Sequence, residues 1–423
     1  MNVVITPGVL RGAVSPPPSK SITHRALICS VLAQGVSVVE NPLISEDTRA
    51  TRRVLEGLGI EIYGDDNRWT VEGEGLVEPA LALHCGESGT TLRLMTAVCA
   101  LVNGECNLTG GPSLSNRPMG PLTSGLRQLG VDCEDSNGFP PVTVRSDGNI
   151  EGGASSMRGD VSSQFVSALL IVAPYTRDGV RLELTTPLES KPYVSMTMDV
   201  QRAFGVEVDS SREMTEFEVR KQEYVPANLN VEGDWSSASF LLAAGALSGD
   251  VEVRNLSVGS RQADEAIVEV LASMGVDLQR KEGSLRARTS KLRGTEVDLS
   301  NSPDLFPIVA AACASASGIS VLRGLRRLQY KESDRVSTMV EGLTAMGVDV
   351  ERDEESVTIH GGKPRGAVID SHNDHRIAMA FAVLGIMAEG ETVIRDAGCV
   401  EKSYPGFWDD LEALGASIRR KGT

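Results

Sequence analysis

Aromatic side chains are scarce in this chain, with 8 Phe, 6 Tyr and 3 Trp among 423 residues. So few rings exclude a stacking platform for single-stranded nucleic acid. Positive charge is also in deficit, since 41 Lys and Arg stand against 57 Asp and Glu, a formal net charge of −16. A surface that acidic repels nucleic acid and anionic membrane alike, and neither is expected as a partner. Long apolar runs are missing too: "AMAFAVLGIMA" at 378–388 is among the longest and is too short to cross a bilayer. The opening "MNVVITPGVLRGAV" has no basic stretch leading into an apolar core, so no secretory signal is expected. Seven cysteines, an odd number without a CxxC, suit a reducing compartment better than a disulfide framework, and the chain reads as cytoplasmic. There is no GxSxG, no GxxxxGK[ST], and no GxGxxG opening a helix after a strand.

What is present is repetition. "LEGLGIEI" (55–62), "LRQLGVDC" (126–133), "QRAFGVEV" (201–208), "LASMGVDL" (271–278), "LTAMGVDV" (343–350) and "LEALGASI" (411–418) share a glycine. Gly59, Gly130, Gly205, Gly275, Gly347 and Gly415 are spaced by 71, 75, 70, 72 and 68 residues. Each copy reads as an amphipathic helix closed by a left-handed glycine and followed by an alternating strand. Upstream of each lies a helix rich in small residues and apolar nearly all round, such as "SSQFVSALLIVA" or "PDLFPIVAAACASA". Helices of that kind belong in an interior. The unit is therefore strand, buried helix, strand, outer helix, strand, strand.

The length favours two domains, and six units divide into two sets of three. "KQEYVPANLNVEGDW" (221–235) is the natural boundary. The sixth unit runs out of chain before its hairpin closes, while "NVVITP" (2–7) is strand-like with no unit of its own, so the N-terminus is expected to complete the sixth unit. The expected division is 13–227 for one domain and 1–12 plus 228–423 for the other.

Polar residues collect at the start of each buried helix and in the loop before each outer helix. Ser, Thr and Asp at helix starts serve as N-caps, which accounts for Ser236 and Ser237. Capping does not account for Lys20, Arg25, Arg117, Lys331, Arg335, Arg376 and Lys402, which fall in the same positions. Cations suit helix C-termini, so at these sites they call for an anion. "YKESDR" (330–335), taken alone, would be an ordinary solvated charge run; among these neighbours it reads as part of an anion site. "HNDH" (372–375) invites a metal, but no matching ligand pair stands out elsewhere, and neither a metal nor a cofactor is expected.

Together, "KSITHRAL", "SGTTLR", "GDVSSQFVSALL", "SKPY", "KESDR", "NDHR" and "EKSYPGFWDDL" resemble the 5-enolpyruvylshikimate-3-phosphate synthase family, in consistent order from about residue 10 to residue 412. The resemblance implies a two-domain inside-out α/β barrel, each domain three βαβαββ units with buried helices and outer sheets, and an active site in the cleft between them. It implies transfer of the enolpyruvyl group of phosphoenolpyruvate to the 5-hydroxyl of shikimate 3-phosphate, on the way to chorismate and the aromatic amino acids, by a monomer. Glyphosate inhibition comes with the family. Each substrate carries a carboxylate and a phosphate, roughly −3 in all near neutral pH.

By resemblance, shikimate 3-phosphate falls to Lys20, Ser21, Arg25, Ser162, Ser163, Gln164, Ser190, Asp304 and Lys331. Phosphoenolpyruvate falls to Lys20, Gly89, Arg117, Gln164, Arg335, Arg376 and Lys402. Asp304 would accept the hydroxyl proton, and Glu332 would protonate the methylene carbon, with Lys20 the rival donor. Two positions depart from the pattern: Glu87-Ser88 stands where many members have Asn-Ala, and Arg327 where an Asn often precedes the site lysine by four. The sister family that acts on UDP-N-acetylglucosamine has Lys-Asn near its start and a Gly-Gly-Cys loop. Here Ser21 follows Lys20, and Pro112 follows the glycine pair. A non-catalytic anion-binding scaffold of the same fold would not need both Asp304 and Glu332.

Overall fold

The computed structural model describes residues 1–257 and 259–422. The chain forms two bodies, one from Pro18–Val231 and the other from Met1–Pro17 with Glu232–Thr423. In the first body the buried helices are α1 (Lys20–Leu32), α3 (Gly89–Val98) and α5 (Ser163–Val172); the outer ones are α2 (Glu46–Gly57), α4 (Gly120–Gln128) and α6 (Lys191–Ala203). The second body repeats the scheme with buried α7 (Trp235–Ser248), α9 (Phe306–Ala314) and α11 (His375–Gly385). Its outer helices are α8 (Ile267–Ser273), α10 (Arg335–Ala345) and α12 (Phe407–Ala413).

Every residue of α9 is buried, as is every residue of α11, and together with α7 they form the middle of one apolar core. Helices α1, α3 and α5 do the same in the first body. Ala, Gly and Ser lining these helices let backbones approach closely, which a helix surrounded by protein on all sides requires. The strands instead alternate, as in Val180–Leu184, where every second residue is buried, so each sheet turns one face inward and one outward. Helices inside and sheets outside follow directly from the two hydrophobic periods.

Among the described residues each body has three four-stranded sheets. In four of the six units the strand before the buried helix pairs in parallel with the strand after it, and an antiparallel pair completes the sheet, as with Gly153–Met157, Val180–Leu184, Glu216–Val219 and Asp209–Ser210. The first and fourth units exchange their leading strands. The six repeat glycines have φ between +78° and +103°, a region that side chains with a Cβ rarely adopt.

Three strands come from a distant part of the chain. Asn2–Thr6 lies between Thr392–Arg395 and Ser417–Lys421, antiparallel to both, and so enters the sixth sheet. Leu10–Val14 pairs in parallel with Gly249–Arg254 of the fourth unit, and Asn228–Asn230 pairs with Gly35–Glu40 of the first. The last two move both crossings relative to the expected 12/13 and 227/228. Residues 13–17 stay with the second body because their strand is hydrogen-bonded there, and 228–231 stay with the first for the same reason. The chain crosses at Pro17–Pro18 and at Val231–Glu232.

Candidate active site

In the first body three buried helices begin in polar residues. Pro16, Pro17 and Pro18 hold the chain extended up to Ser19, so α1 starts at Lys20. Lys20 Nζ lies 2.8 Å from Asp47 Oδ2 on α2. One turn on, Arg25 is 1 % exposed. Its Nε donates to Thr197 Oγ1 at 2.7 Å, Nη1 to Ser21 O at 2.9 Å and Nη2 to Tyr193 O at 3.4 Å. All three acceptors are neutral, and burial pulls its pKa down to about 10. Arg25 thus fastens α1 to the start of α6, where Ser190 sits in a left-handed conformation (φ 55°) just ahead of Lys191-Pro192.

Ser162 caps α5 by accepting from Gln164 N at 3.3 Å, with Ser163 buried behind it. The Gln164 amide bridges to α3: its Oε1 accepts from Arg93 Nη1 at 2.9 Å, and its Nε2 donates to Thr90 Oγ1 at 2.8 Å. Arg93 also lies over the Phe165 ring, 5.2 Å from its centre. Thr90 follows Gly89, the first residue of α3. A Cβ on Gly89 would lie 2.7 Å from Arg117 Nη1, so the guanidinium rests directly against that peptide.

The second body gathers five of the expected residues into one ionic network. Arg335, 1 % exposed, donates from Nε to Asp374 Oδ2 (2.8 Å), from Nη1 to Asp304 Oδ1 (2.8 Å) and from Nη2 to Glu332 Oε2 (2.5 Å). Asp304 Oδ1 also accepts from Lys331 Nζ at 3.1 Å, and its Oδ2 from Arg376 Nη2 at 3.1 Å. Burial opposes ionisation of Asp304, but Arg376, Lys331 and Arg335 outweigh it and hold the carboxyl well below the usual range. Burial lowers the Lys331 ammonium, with Asp304 pulling the other way. The Arg335 guanidinium, penalised by burial, is raised by Asp374, Glu332 and Asp304. Lys402 stands slightly apart, its Nζ donating to Asn373 O at 2.6 Å beside the start of α11.

Several participants were not legible in the sequence. Asp374, half of the "HNDH" that suggested a metal, is spent on Arg335 and on capping α11, where it accepts from Arg376 N at 3.0 Å. Ser236, read there as a cap, accepts from Arg376 Nη1, and the cap of α7 is Asp234. Asp264, buried near Asp304 and Arg376, has its pKa pushed up to about 7, first by burial and then by the Asp304 charge. In the first body Asp47, Thr90 and Arg93 were missed; an arginine in an apolar helix was the available signal for the last. Arg327, in place of an asparagine, donates to Ser300 O at 2.7 Å.

The model of the family described as EPSP synthase (3-phosphoshikimate 1-carboxyvinyltransferase) matches residues 4–411. A 3-phosphoshikimate 1-carboxyvinyltransferase of Dehalococcoides mccartyi is 43 % identical over 420 residues, covering 99 % of each chain. One from Methanothermobacter thermautotrophicus is 44 % identical over 417 residues, covering 97 % of each. Among solved structures, EPSP synthase from Acinetobacter baumannii superposes with a TM-score of 0.84 at 28 % identity, over the whole of both chains.

Proposed function

The chain belongs to the EPSP synthase family, and from that premise we propose that its two polar clusters divide the work of one reaction. That reaction transfers the enolpyruvyl group of phosphoenolpyruvate to shikimate 3-phosphate in the shikimate pathway. On this reading Lys20, Ser21, Arg25, Ser162, Ser163, Gln164 and Ser190 hold shikimate 3-phosphate, with Asp304 and Lys331 on its reacting side. Phosphoenolpyruvate takes Gly89, Arg117, Gln164 and Lys20 from the first body and Arg335, Arg376 and Lys402 from the second. Arginine suits a carboxylate or phosphate because its planar fork meets two oxygens at once.

The observation that carries the assignment is the saturation of the buried cations by Asp304, Glu332 and Asp374. Two of these carboxylates are also the groups the chemistry needs. Asp304 held by three cations is a poor base. A substrate bearing about three negative charges draws Arg335 and Arg376 to itself, and each cation lost makes Asp304 more basic. Glu332 is freed by the same exchange, since it can hand on a proton only after Arg335 has turned away.

In the addition step the 5-hydroxyl oxygen bonds to C2 of the enol, Asp304 takes the hydroxyl proton, and Glu332 or Lys20 gives a proton to C3. In the elimination step the C2–O bond to phosphate breaks, C3 returns a proton, and the enol ether and inorganic phosphate result. The seven cysteines are buried thiols, which suits a reducing compartment and supports placing the enzyme in the cytoplasm. No helix among the described residues is long and apolar enough to cross a membrane.

The test is phosphate release, expected only when both substrates are present. Asp304→Ala and Glu332→Ala should each slow turnover by roughly 10²–10⁴-fold, the range of a lost proton-transfer group. Turnover within tenfold of wild type for either variant would remove that residue from the chemistry.

A further inference from the structure

Glu87 lies two residues ahead of Gly89, on the turn leading into α3. Its Oε2 accepts from Ser113 Oγ at 2.6 Å and from Leu114 N at 3.0 Å. The contact is close: a Cβ on Gly111 would lie 2.1 Å from Glu87 Oε1. Alongside, Gly111 N donates to Gly86 O at 2.8 Å. Leu114 opens the short turn Leu114–Asn116, and Arg117 follows it, with Arg117 N donating to Leu114 O at 3.0 Å. That turn brings the Arg117 guanidinium back against Gly89. The path therefore closes on itself, from Glu87 through Ser113, Leu114 and Arg117 to the peptide two residues beyond Glu87.

Of the two sides of this circuit, the helix is already anchored. Ser88 caps α3, accepting from Thr91 N at 3.2 Å and from Thr91 Oγ1 at 2.7 Å. Thr91 Oγ1 also lies 2.7 Å from Thr51 Oγ1 and 3.3 Å from Asp47 O, and Thr51 Oγ1 lies 2.7 Å from His24 Nδ1. Ser88, Thr91, Thr51 and His24 are fully buried. Burial, Lys20 and Arg25 push the His24 pKa well down, so the ring there is neutral. The start of α3 is thus tied to α1 and α2.

The loop is less constrained. Leu114 sets its depth by packing into the core, while Ser115 and Asn116 bond back to Gly111 O and Pro112 O within the loop itself. Beyond the Gly111 N–Gly86 O bond, the segment from Ser113 to Arg117 is held against the start of α3 by Glu87.

We propose that Glu87 is a positioning residue for phosphoenolpyruvate: by clamping Ser113 and Leu114 it sets the gap between the Arg117 guanidinium and the Gly89 peptide. This rests on the reading that Arg117 and Gly89 hold phosphoenolpyruvate. A carboxylate suits the task because one oxygen accepts from a hydroxyl and a backbone N–H together. Glutamine retains an acceptor oxygen and a shape that fits; alanine retains neither.

Steady-state kinetics on the full chain test it, with Glu87→Ala, Glu87→Gln, Arg117→Ala and the Glu87→Ala/Arg117→Ala double variant. Glu87→Ala should raise KM for phosphoenolpyruvate about tenfold, the loss of one charge-assisted hydrogen bond, with KM for shikimate 3-phosphate and kcat each within about twofold of wild type. Glu87→Gln should restore most of the loss, and the double variant should be no worse than Arg117→Ala alone. Should Glu87→Ala fail to fold, Ser113→Ala removes one arm of the clamp and should raise the same KM about threefold. If Arg117→Ala raises KM for phosphoenolpyruvate but Glu87→Ala does not, the clamp is wrong and the pocket assignment stands. If Arg117→Ala leaves it unchanged, the pocket assignment falls and the proposal with it. Equal rises for both substrates, multiplying losses in the double variant, or a Glu87→Gln enzyme binding phosphoenolpyruvate more tightly than wild type would each overturn the positioning role.

Discussion

Arg25 and Arg335 are the same residue type, equally buried, one in each body, and they are shifted in opposite directions. Arg25 donates to a hydroxyl and two carbonyls, and burial drags it down to about 10. Arg335 donates to three carboxylates, whose charge overcomes the burial penalty and raises it. Arg25 is thus solvated by neutral dipoles, whereas Arg335 sits among carboxylates of its own body. On the proposed reading, an anionic substrate would add to the first arginine's surroundings and would have to displace carboxylates at the second.

The comparison is broken most severely at Asp374. Asp374→Ala strips Arg335 of its fully buried partner and α11 of its cap, and should cost roughly 3–5 kcal/mol in chemical denaturation, as for a buried pair left half-made. Thr197→Val, the equivalent loss for Arg25, removes the neutral acceptor of Arg25 Nε together with the Thr197 hydroxyl's contacts to Ser167 Oγ and Tyr193 O, and should cost about 1–3 kcal/mol. Equal losses would mean that the two arginines are held alike. Next is Arg335→Lys, which keeps the charge and loses the fork. It should cost about 1.5–3 kcal/mol in kcat/KM for phosphoenolpyruvate and leave KM for shikimate 3-phosphate almost unmoved.

A pH titration of stability sharpens the contrast, because two buried groups should give opposite slopes in overlapping windows. His24 in the first body is held neutral, its pKa lowered by burial, Lys20 and Arg25. Below about 6.5 the unfolded chain binds a proton there that the folded chain does not, so this group's contribution to stability falls as pH falls. Asp264 in the second body is raised to about 7 by burial and Asp304, against the pull of Arg376 and Ser236. Between an unfolded value near 4 and 7 the folded chain holds the extra proton, so this contribution falls as pH rises. Each slope is at most about 1.4 kcal/mol per pH unit. Denaturation midpoints between pH 4.5 and 7 should lose the first slope in His24→Asn and the second in Asp264→Asn; a variant that leaves the wild-type curve unchanged removes its group from the account.

The mildest test is Gly89→Ala, whose Cβ would meet the far end of the Arg117 side chain at 2.7 Å. That end can shift, so KM for phosphoenolpyruvate should rise only about threefold to tenfold, on the order of 1 kcal/mol, with shikimate 3-phosphate unaffected. An unchanged KM for phosphoenolpyruvate would take Gly89 out of the pocket.

The buried helices and the repeat were legible because both are local: a helix apolar all round and a glycine that must turn left-handed announce themselves within one unit. Leu10–Val14 and Asn228–Asn230 were not placed correctly, because an alternating strand carries no mark of which distant edge it will join. The site shows the same divide. Lys331, Arg335 and Arg376 stood out as cations at helix starts, where the backbone does not favour them. Asp374 and Asp47 did not, since an acid near a helix start is what capping predicts, and only the fold decides that its side chain also meets a cation, as Asp374 does while capping α11.

The strands donated across the chain have a consequence for synthesis. Residues 18–231 are continuous, so the first body has all its strands once Asn228–Asn230 leaves the ribosome. The second body's Asn2–Thr6 is made before the whole of the first body, yet the neighbours of that strand, Thr392–Arg395 and Ser417–Lys421, are made after it. In that interval a strand destined for the inside of a sheet has both edges unpaired while another body is synthesised behind it, a period in which it is open to wrong partners.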